Sequence, residues 1–234
     1  MSGVKTCALC GQPILAKPSD ADDRGTDEHT PPLQFFPKKL RAALRNGLWK
    51  VPSHRRCNAS YKLDEEYFVH ALYPLIPCHN EKMGQVMLDE LKRRAAKPQS
   101  RTLIRRVLRG CDQRSAGGIW LPPGLRRVSL EGSRIRRVGV KVSRCLFYLD
   151  NGRNIPESCC VFTQFCKEPG ALREPFDMLW RVKECERRSA APEVFRYWYC
   201  EDQGLHSYAM FYWEAFMFCV MFREPARANT PDDD

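Results

Sequence analysis

The sequence lacks a long, uninterrupted apolar run, although 43% of its 234 residues are hydrophobic. Its longest apolar stretch, from Met210 to Phe222, contains Glu214 and is shorter than the roughly 20 residues that a membrane-spanning helix needs. The N-terminal segment MSGVKTCALCGQP also lacks the apolar core of a secretory signal peptide. We therefore expect a cytoplasmic protein with no membrane among its partners.

Histidine is scarce, with five residues, whereas cysteine is frequent, with 12. In a reducing compartment, cysteines serve as metal ligands or as small buried apolar side chains. Cys7 and Cys10 form a C-x2-C pair followed by Gly11, and His54 and Cys57 repeat the two-residue gap. One such pair is a weak signal, but two pairs supply the four ligands of a closed structural zinc site. We predict that Cys7, Cys10, His54 and Cys57 bind zinc; the alternative is an incidental or redox-active pair.

Acidic residues are nearly absent from one long stretch of the chain. Between Leu91 and Arg144 there are 16 Lys and Arg residues and two acids, Asp112 and Glu131, so this stretch carries +14. The whole chain carries +10, and the remainder therefore carries −4. So concentrated a basic block predicts a polyanionic partner, most simply nucleic acid. The alternative is a solvated helical face.

A β-hairpin that leads into a helix is predicted between the two pairs of zinc ligands. Asp27-Glu28-His29 begins this segment, LWKVP forms a short strand, and a helix-like run extends from Asn58 to about Tyr73. The connection between the strands is long and contains FFPKKLRAALRNG. Zinc bound at the four predicted ligands would join the two ends of this unit.

These residues resemble the HNH family of nucleases, which have the ββα-metal, or His-Me finger, fold. The resemblance is strongest to a bacterial subgroup with an EHxPP strand and a CxxCN motif, and it covers about residues 7 to 70. The matching residues are Glu28-His29-Thr30-Pro31-Pro32, Val51-Pro52, Cys57-Asn58 and Asp64-Glu65-Glu66-Tyr67-Phe68. Two positions depart from the family. His54 stands where the family more often has Cys, and Asn46 lies one residue early for the asparagine that ties the connecting loop.

The resemblance implies a metal-dependent endonuclease that hydrolyses phosphodiester bonds of nucleic acid, with DNA as the expected substrate. It also implies a bacterial or phage setting and a role as a defence effector. His29 would be the general base, since imidazole titrates near neutrality. Glu28 and Asn58 would hold a catalytic Mg²⁺ or Mn²⁺ through their oxygen atoms, and Glu65 is a further candidate ligand.

A shared site for Glu28 and His29 meets one geometric difficulty. Neighbouring residues of a regular strand point to opposite faces. The two side chains can converge only at a strand end or a bulge. Because Pro31 and Pro32 end regular pairing, we expect the convergence to occur there.

The helix after Asn58 adds two polar candidates. Asn58, Lys62 and Glu65 have the spacing i, i+4, i+7, which places them on one helical face. Lys62 would contact phosphate, or it would simply face solvent. Nucleic-acid contacts are also predicted for arginines of the basic block: Arg105, Arg106, Arg109, Arg136 and Arg137.

The remaining sequence predicts further helices in EKMGQVMLDELKRRAA, SRTLIRRVLRG and SRIRRVGVKVSRCLFYLDNG, then β-prone runs at Glu193–Glu201 and Ser207–Phe222. We therefore predict an α+β fold. A zinc-stabilised ββα-metal nuclease module would span residues 1–75. A basic region of mixed helices and strands, 76–225, would bind substrate or a partner protein, and residues 226–234 would form a disordered tail.

Two other functions stay open at this point. A non-catalytic zinc module that binds nucleic acid or protein would have no need of Glu28, His29 or Asn58. A subunit of a larger effector complex would leave specificity to another chain. The sequence has no recognisable element that reads bases, such as a helix-turn-helix, which keeps the second possibility open.

Overall fold

The computed structural model describes residues 5–41, 44, 48–78, 81–123, 125–156, 159–166, 186–191 and 193–225. Asn46 and the predicted tail, 226–234, lie outside these ranges. The helices are α1 (Lys38–Arg41), α2 (Arg55–Ala59), α3 (Lys62–Leu72), α4 (Glu81–Ala95), α5 (Pro98–Arg109) and α6 (Gly132–Asn151). The strands are β1 (Gly25–Thr30), β2 (Trp49–His54), β3 (Cys111–Asp112), β4 (Arg127–Val128), β5 (Cys160–Cys166), β6 (Glu186–Ala191), β7 (Phe195–Asp202), β8 (Leu205–Tyr212) and β9 (Phe216–Arg223). The fold is α+β, as predicted, and none of these helices is both long enough and apolar enough to cross a bilayer.

Strands β1 and β2 form the predicted hairpin. The six residues of β1 pair one by one with those of β2, from Gly25 opposite His54 to Thr30 opposite Trp49, with no shift of register. Side chains therefore alternate along β1 between a buried face and a more exposed one. This regular alternation decides where the polar residues of the hairpin point.

The predicted helix after the hairpin is divided into two pieces. α2 ends at Ala59, and Ser60 and Tyr61 separate it from α3. The Ser60 hydroxyl donates to the carbonyl of Cys57 at 2.8 Å, which is the local hydrogen bond by which serine competes with a continuing helix. The chain order is thus strand, strand, helix. The predicted spacing of Asn58, Lys62 and Glu65 runs across the two residues that separate α2 from α3.

The three helices predicted beyond the hairpin are confirmed as α4, α5 and α6. Among the helices of the described ranges, α6 is the longest, with 20 residues, and Gly152 caps its C-terminal end. Gly152 has a left-handed backbone with φ of 66°, and its N–H donates to the carbonyl of Tyr148 at 2.9 Å. Glycine adopts this conformation without steric cost, so the sequence DNG stops the helix at this point.

Strands β5 to β9 form a five-stranded antiparallel sheet with the strand order β5-β9-β8-β7-β6. The β-prone run at Glu193–Glu201 falls largely in β7. The run at Ser207–Phe222 divides into β8 and β9. The turn between them contains Trp213 and Glu214, which both have positive φ, 54° and 56°. Positive φ at two successive turn residues matches the twist of the flanking strands.

Helix α6 packs closely against the sheet through a glycine. A Cβ added to Gly139 would come within 2.1 Å of the Phe218 ring in β9, a distance that side chains do not tolerate. Glycine at this position therefore lets α6 approach β9, while the same helix contacts α3, β1 and β2. Through these contacts α6 packs against the buried face of the hairpin.

One hydrophobic core joins both of the predicted segments, 1–75 and 76–225. Its buried members include Phe35 and Phe68 from the first segment and Val142, Trp213 and Phe218 from the second. The Trp213 indole N–H donates to the carbonyl of Phe35 at 3.1 Å, so the segments also share a buried hydrogen bond. The hairpin and its helices are consequently held in place by the rest of the chain.

Candidate functional site

The four predicted zinc ligands come together at one end of the hairpin. Cys7 and Cys10 lie in a turn, His54 ends β2, and Cys57 lies in α2. Their ligand atoms all lie within 4.8 Å of one another. The Sγ atoms of Cys10 and Cys57 are 3.4 Å and 3.9 Å from His54 Nδ1. Around a tetrahedral zinc ion with ordinary Zn–S and Zn–N lengths, the sulfur and nitrogen ligand atoms lie about 3.6 Å apart. The cluster can therefore hold a zinc ion.

Neighbouring groups orient these ligands. With Nε2 of His54 donating to the carbonyl of Pro13 at 3.2 Å, Nδ1 presents its lone pair to the thiols. The backbone N–H of His54 points at Cys7 Sγ, 3.4 Å away. Gly11, with φ of 75°, completes the tight turn that directs Cys7 and Cys10 to one point. Four protein ligands leave no open coordination position, which is the arrangement of a structural zinc.

Glu28 and His29 do not converge. Because β1 keeps its register through Thr30, Glu28 pairs opposite Val51 and His29 opposite Lys50, and the two side chains point to opposite faces. Glu28 is buried beneath the hairpin, whereas His29 is half-buried on the other side. The expectation that the prolines would end the pairing early enough to bring these side chains together was wrong, since pairing extends to the residue just before Pro31.

The buried face of β1 carries a group of polar side chains around one lysine. Lys141 of α6 is 1% exposed, and its Nζ lies 2.7 Å from Oε1 of Glu28. The same ammonium donates to Oε1 of Glu65 in α3. The side chain of Gln34 donates to the other oxygen of Glu65. The side chain of Asn58 lies close enough to Glu28 to lower the pKa of its carboxyl. Glu28, Asn58 and Glu65 are thus neighbours, and an ammonium lies between the two carboxylates.

Two carboxylates share one ammonium here, so the group carries a net negative charge when all three are ionised. Burial raises the pKa of Glu28 to about 6, against the opposing effect of Lys141, and the nearby charge of Glu65 adds to the rise. Burial disfavours the charge on Lys141, but the carboxylates of Glu65 and Glu28 outweigh it and raise the pKa of this lysine. Lys141 therefore stays charged at neutral pH, and the proton that enters near pH 6 goes to the carboxylate side.

His29 lines a cleft of about 590 Å³ on the opposite side of the hairpin. The cleft is strongly basic. Its other lining residues are Leu33, Lys38, Arg41, Leu48, Lys50, Arg93 and Lys97. The five cationic residues come from β2, from α1 and from the junction of α4 with α5, so the basic character arises only when these elements pack together. Two of these charges are partly offset, because Arg93 lies 2.5 Å from Glu90 and Lys50 lies 3.8 Å from Asp27. Lys38, Arg41 and Lys97 add further positive charge, so the concave surface has the charge to bind phosphate groups.

The cleft also sets the protonation of His29. Burial and the charge of Lys50 lower the pKa of His29, while Asp27, on the same face of β1, opposes the shift. Asp27 in turn lies 3.8 Å from the ammonium of Lys50. The imidazole is consequently neutral at pH 7 and able to accept a proton.

The arginines and the lysine predicted to contact nucleic acid fall into two groups. Lys62, Arg105 and Arg109 are exposed, and among the described residues none of them has an ion-pair partner. The others are engaged within the protein. Arg106 lies 2.5 Å from Glu131, Arg137 lies 2.5 Å from Asp64, and Arg136 donates to the hydroxyl of Thr163 at 3.1 Å. Part of the basic block is therefore neutralised by acids that are close only in the folded chain.

Neither Lys141 nor the cations of the cleft were predicted from the sequence as members of a site. Lys141 occupies one position of the helical pattern VGVKVSRC, between Val140 and Val142, where neighbouring apolar residues signal burial. A charged residue in such a position must be paired, which was the available clue. Lys38 and Arg41 follow the EHTPP segment closely, but no periodicity links them to Lys97.

Comparisons of the chain with protein-family models, with curated proteins and with solved structures found no match.

Proposed function

We propose that this protein is a nuclease of the HNH type, in which His29 acts as the general base on a phosphodiester held in the basic cleft. One observation carries the proposal: a neutral imidazole lies in a concave surface lined by five cationic side chains. Imidazole surrounded by lysine and arginine matches the two needs of phosphodiester hydrolysis, a base for the attacking water and positive charge for the phosphate.

The chemistry assigns separate tasks to the residues of the cleft. Water attacks the phosphorus atom while His29 takes its proton. Lys50, the cross-strand partner of His29, offers an ammonium near the imidazole. The cationic side chains offset the additional negative charge of the phosphoryl oxygens in the transition state. A lysine ammonium of the cleft is also a donor for the leaving oxygen.

A catalytic Mg²⁺ or Mn²⁺, as the resemblance implies, would use Glu28, Asn58 and Glu65. These residues are neighbours, but they do not fit that ion as they stand. The ammonium of Lys141 contacts both carboxylates, and the side chain of Asn58 is engaged by Glu28. Mg²⁺ needs oxygen atoms at about 2.0–2.1 Å in octahedral geometry, and an ammonium hydrogen-bonded to the same oxygens prevents that approach.

The second candidate function is a zinc-containing module that binds nucleic acid without cutting it. One observation favours it: Glu28 and His29, which the resemblance assigns to one reaction centre, lie on opposite faces of β1. In this case the cleft would serve for binding alone. The two candidates share the basic cleft and differ only in whether His29 performs chemistry.

The deciding experiment is a cleavage assay on purified, zinc-loaded protein. Plasmid, linear duplex DNA, single-stranded DNA and RNA are each incubated without added divalent ion, with Mg²⁺ and with Mn²⁺. Cleavage that His29→Ala abolishes, at unchanged zinc content, supports the nuclease. Binding without cleavage of any substrate, in all three conditions, would support the second candidate instead.

Binding in the cleft has its own matched pair of variants. Lys38 and Lys39 are adjacent in α1 and both exposed, but Lys38 lines the cleft, whereas Lys39 lies 3.9 Å from Asp89. Lys38→Ala should weaken nucleic-acid binding and reduce the slope of affinity against salt by about one unit, because one phosphate contact is lost. Lys39→Ala should leave both quantities nearly unchanged. Equal effects would indicate general electrostatic attraction rather than binding in the cleft.

A further inference from the structure

Lys141 occupies the meeting point of three elements. It projects from α6 toward Glu28 in β1 and Glu65 in α3, and both of these carboxylates are buried, with exposures of 4% and 6%. One N–H of the ammonium donates to Glu28 and another to Glu65. The face of the Tyr61 ring lies 5.2 Å from Nζ, which is within the range of a cation–π contact.

A cation stabilises such a group when both carboxyl groups are ionised. Removing a carboxylate pair from water is costly, and the cost is offset when a positive charge and hydrogen bonds satisfy the oxygens. Lys141 supplies both, from a helix that the close contact between Gly139 and Phe218 holds in place two residues earlier. The lysine thus offsets the charge of two converging carboxylates, as a bound divalent ion does in a metal site.

We propose that Lys141 is a built-in cation that takes the place of a divalent metal ion between Glu28 and Glu65, and that it closes this site to Mg²⁺ and Mn²⁺ in the natural protein. An ion bound to these oxygens would have to lie at about 2 Å from each of them. The ammonium, 2.7 Å from Glu28 and hydrogen-bonded to Glu65, occupies that space.

The inference goes beyond the proposed nuclease and does not depend on it, because it concerns which cation the carboxylates hold. It predicts a gain of metal binding in a variant that lacks the lysine. When the ammonium is removed but the carboxylates are kept, the vacated space is lined by two acidic side chains and Asn58, which are oxygen donors suited to Mg²⁺ or Mn²⁺.

The test measures Mn²⁺ binding by electron paramagnetic resonance on zinc-loaded protein. In the natural protein, Mn²⁺ should not bind at Glu28 and Glu65. Neither Glu28→Gln nor Glu65→Gln should therefore reduce its Mn²⁺ binding. Lys141→Gln should gain a stoichiometric Mn²⁺ site, and added Mn²⁺ should raise its melting temperature. Lys141→Arg, which keeps the positive charge, is the matched control and should gain no site. In the double variant Lys141→Gln with Glu65→Gln, the new site should be lost.

Each outcome decides the inference. Mn²⁺ bound to the natural protein and lost in Glu28→Gln would overturn it, and so would a folded Lys141→Gln protein that binds no Mn²⁺. Lys141→Gln leaves two buried carboxylates without a counter-charge, which is a strongly destabilising change in other buried pairs. If it does not fold without metal, refolding in the presence of Mn²⁺ but not in its absence would support the inference. If the variant folds in neither condition, the natural protein decides: a Mn²⁺ site that Glu28→Gln or Glu65→Gln removes overturns the inference, and the absence of such a site supports it.

Discussion

The ammonium of Lys141 lies 2.7 Å from the carboxylate of Glu28, although 113 positions separate these residues in the chain. Both side chains are almost fully buried, so the pair is not exposed to the screening that weakens surface ion pairs. The pair joins α6 to the hairpin that carries His29. The protonation of Glu28 should therefore be visible in the stability of the whole fold.

Stability should fall as pH rises through the titration of Glu28. Burial raises the pKa of Glu28 from 4.5 to about 6, so the folded chain holds its proton more tightly than the unfolded chain does. Between these pH values the folded state binds more protons, and the free energy of unfolding decreases with increasing pH. The full contribution is about 2 kcal/mol, present below pH 4.5 and lost above pH 6. Urea unfolding at a series of pH values measures it.

Glu28→Gln tests the assignment of that dependence. The variant should lose this part of the pH dependence, because glutamine does not titrate. Glu201→Gln, at an exposed position of β7, should retain it. A Glu28→Gln protein with the same slope as the natural one would show that another group titrates in this window.

Loss of one zinc ligand should affect folding before it affects any activity. Cys10→Ala removes a thiolate from a closed four-ligand site, and structural zinc contributes directly to folding free energy, at about 10–16 kcal/mol of apparent binding energy in small zinc domains. We expect loss of bound zinc and of cooperative thermal unfolding. Cys200→Ala, in β7 and away from the cluster, should keep both. Natural protein that is folded but contains no zinc by elemental analysis would contradict the prediction.

Replacing His29 should affect cleavage with little effect on folding. His29 is half-buried at the cleft, and His29→Ala should reduce the cleavage rate about 10²–10⁴-fold while the melting temperature stays nearly unchanged. Because burial and Lys50 lower the pKa of His29, the rate should already be at its plateau at pH 7 and should fall only under acidic conditions. A rate that still rises steeply above pH 7 would point to a different base.

The arginines of α5 should not contribute equally to nucleic-acid binding. Arg105 and Arg109 are exposed without an ion-pair partner among the described residues, whereas Arg106 lies 2.5 Å from Glu131. Replacing Arg105 and Arg109 with Ala should lower affinity and reduce the salt slope by up to about two units, since each phosphate contact releases counterions. Arg106→Ala should have a smaller effect on the slope. Nucleic-acid titrations at several salt concentrations compare the double variant with Arg106→Ala. Unchanged binding in the double variant would show that the nucleic acid does not contact α5.

The zinc ligands were the part of the site that the sequence predicted best. Cys7 and Cys10, like His54 and Cys57, are each separated by two residues, so each pair is brought together by one local turn. Spacing and residue type are enough to predict such a cluster, because two pairs of this spacing supply the four ligands of a structural zinc site. The orientation of Glu28 relative to His29 was predicted less well, since it depends on how far the pairing with β2 extends.

The sequence by itself determined the α+β class, the order of the elements, the helices α4 to α6 and the four residues whose cluster can hold a zinc ion, because periodicity and short spacings are local properties of the chain. Only the tertiary structure decided that Lys141 lies between Glu28 and Glu65, and that cations from three parts of the chain surround His29. These relationships depend on the close packing of α6 against the sheet and the hairpin, and on the junction of α4 with α5 reaching the cleft. Contacts between residues a hundred positions apart follow from how whole elements pack, which no local pattern specifies.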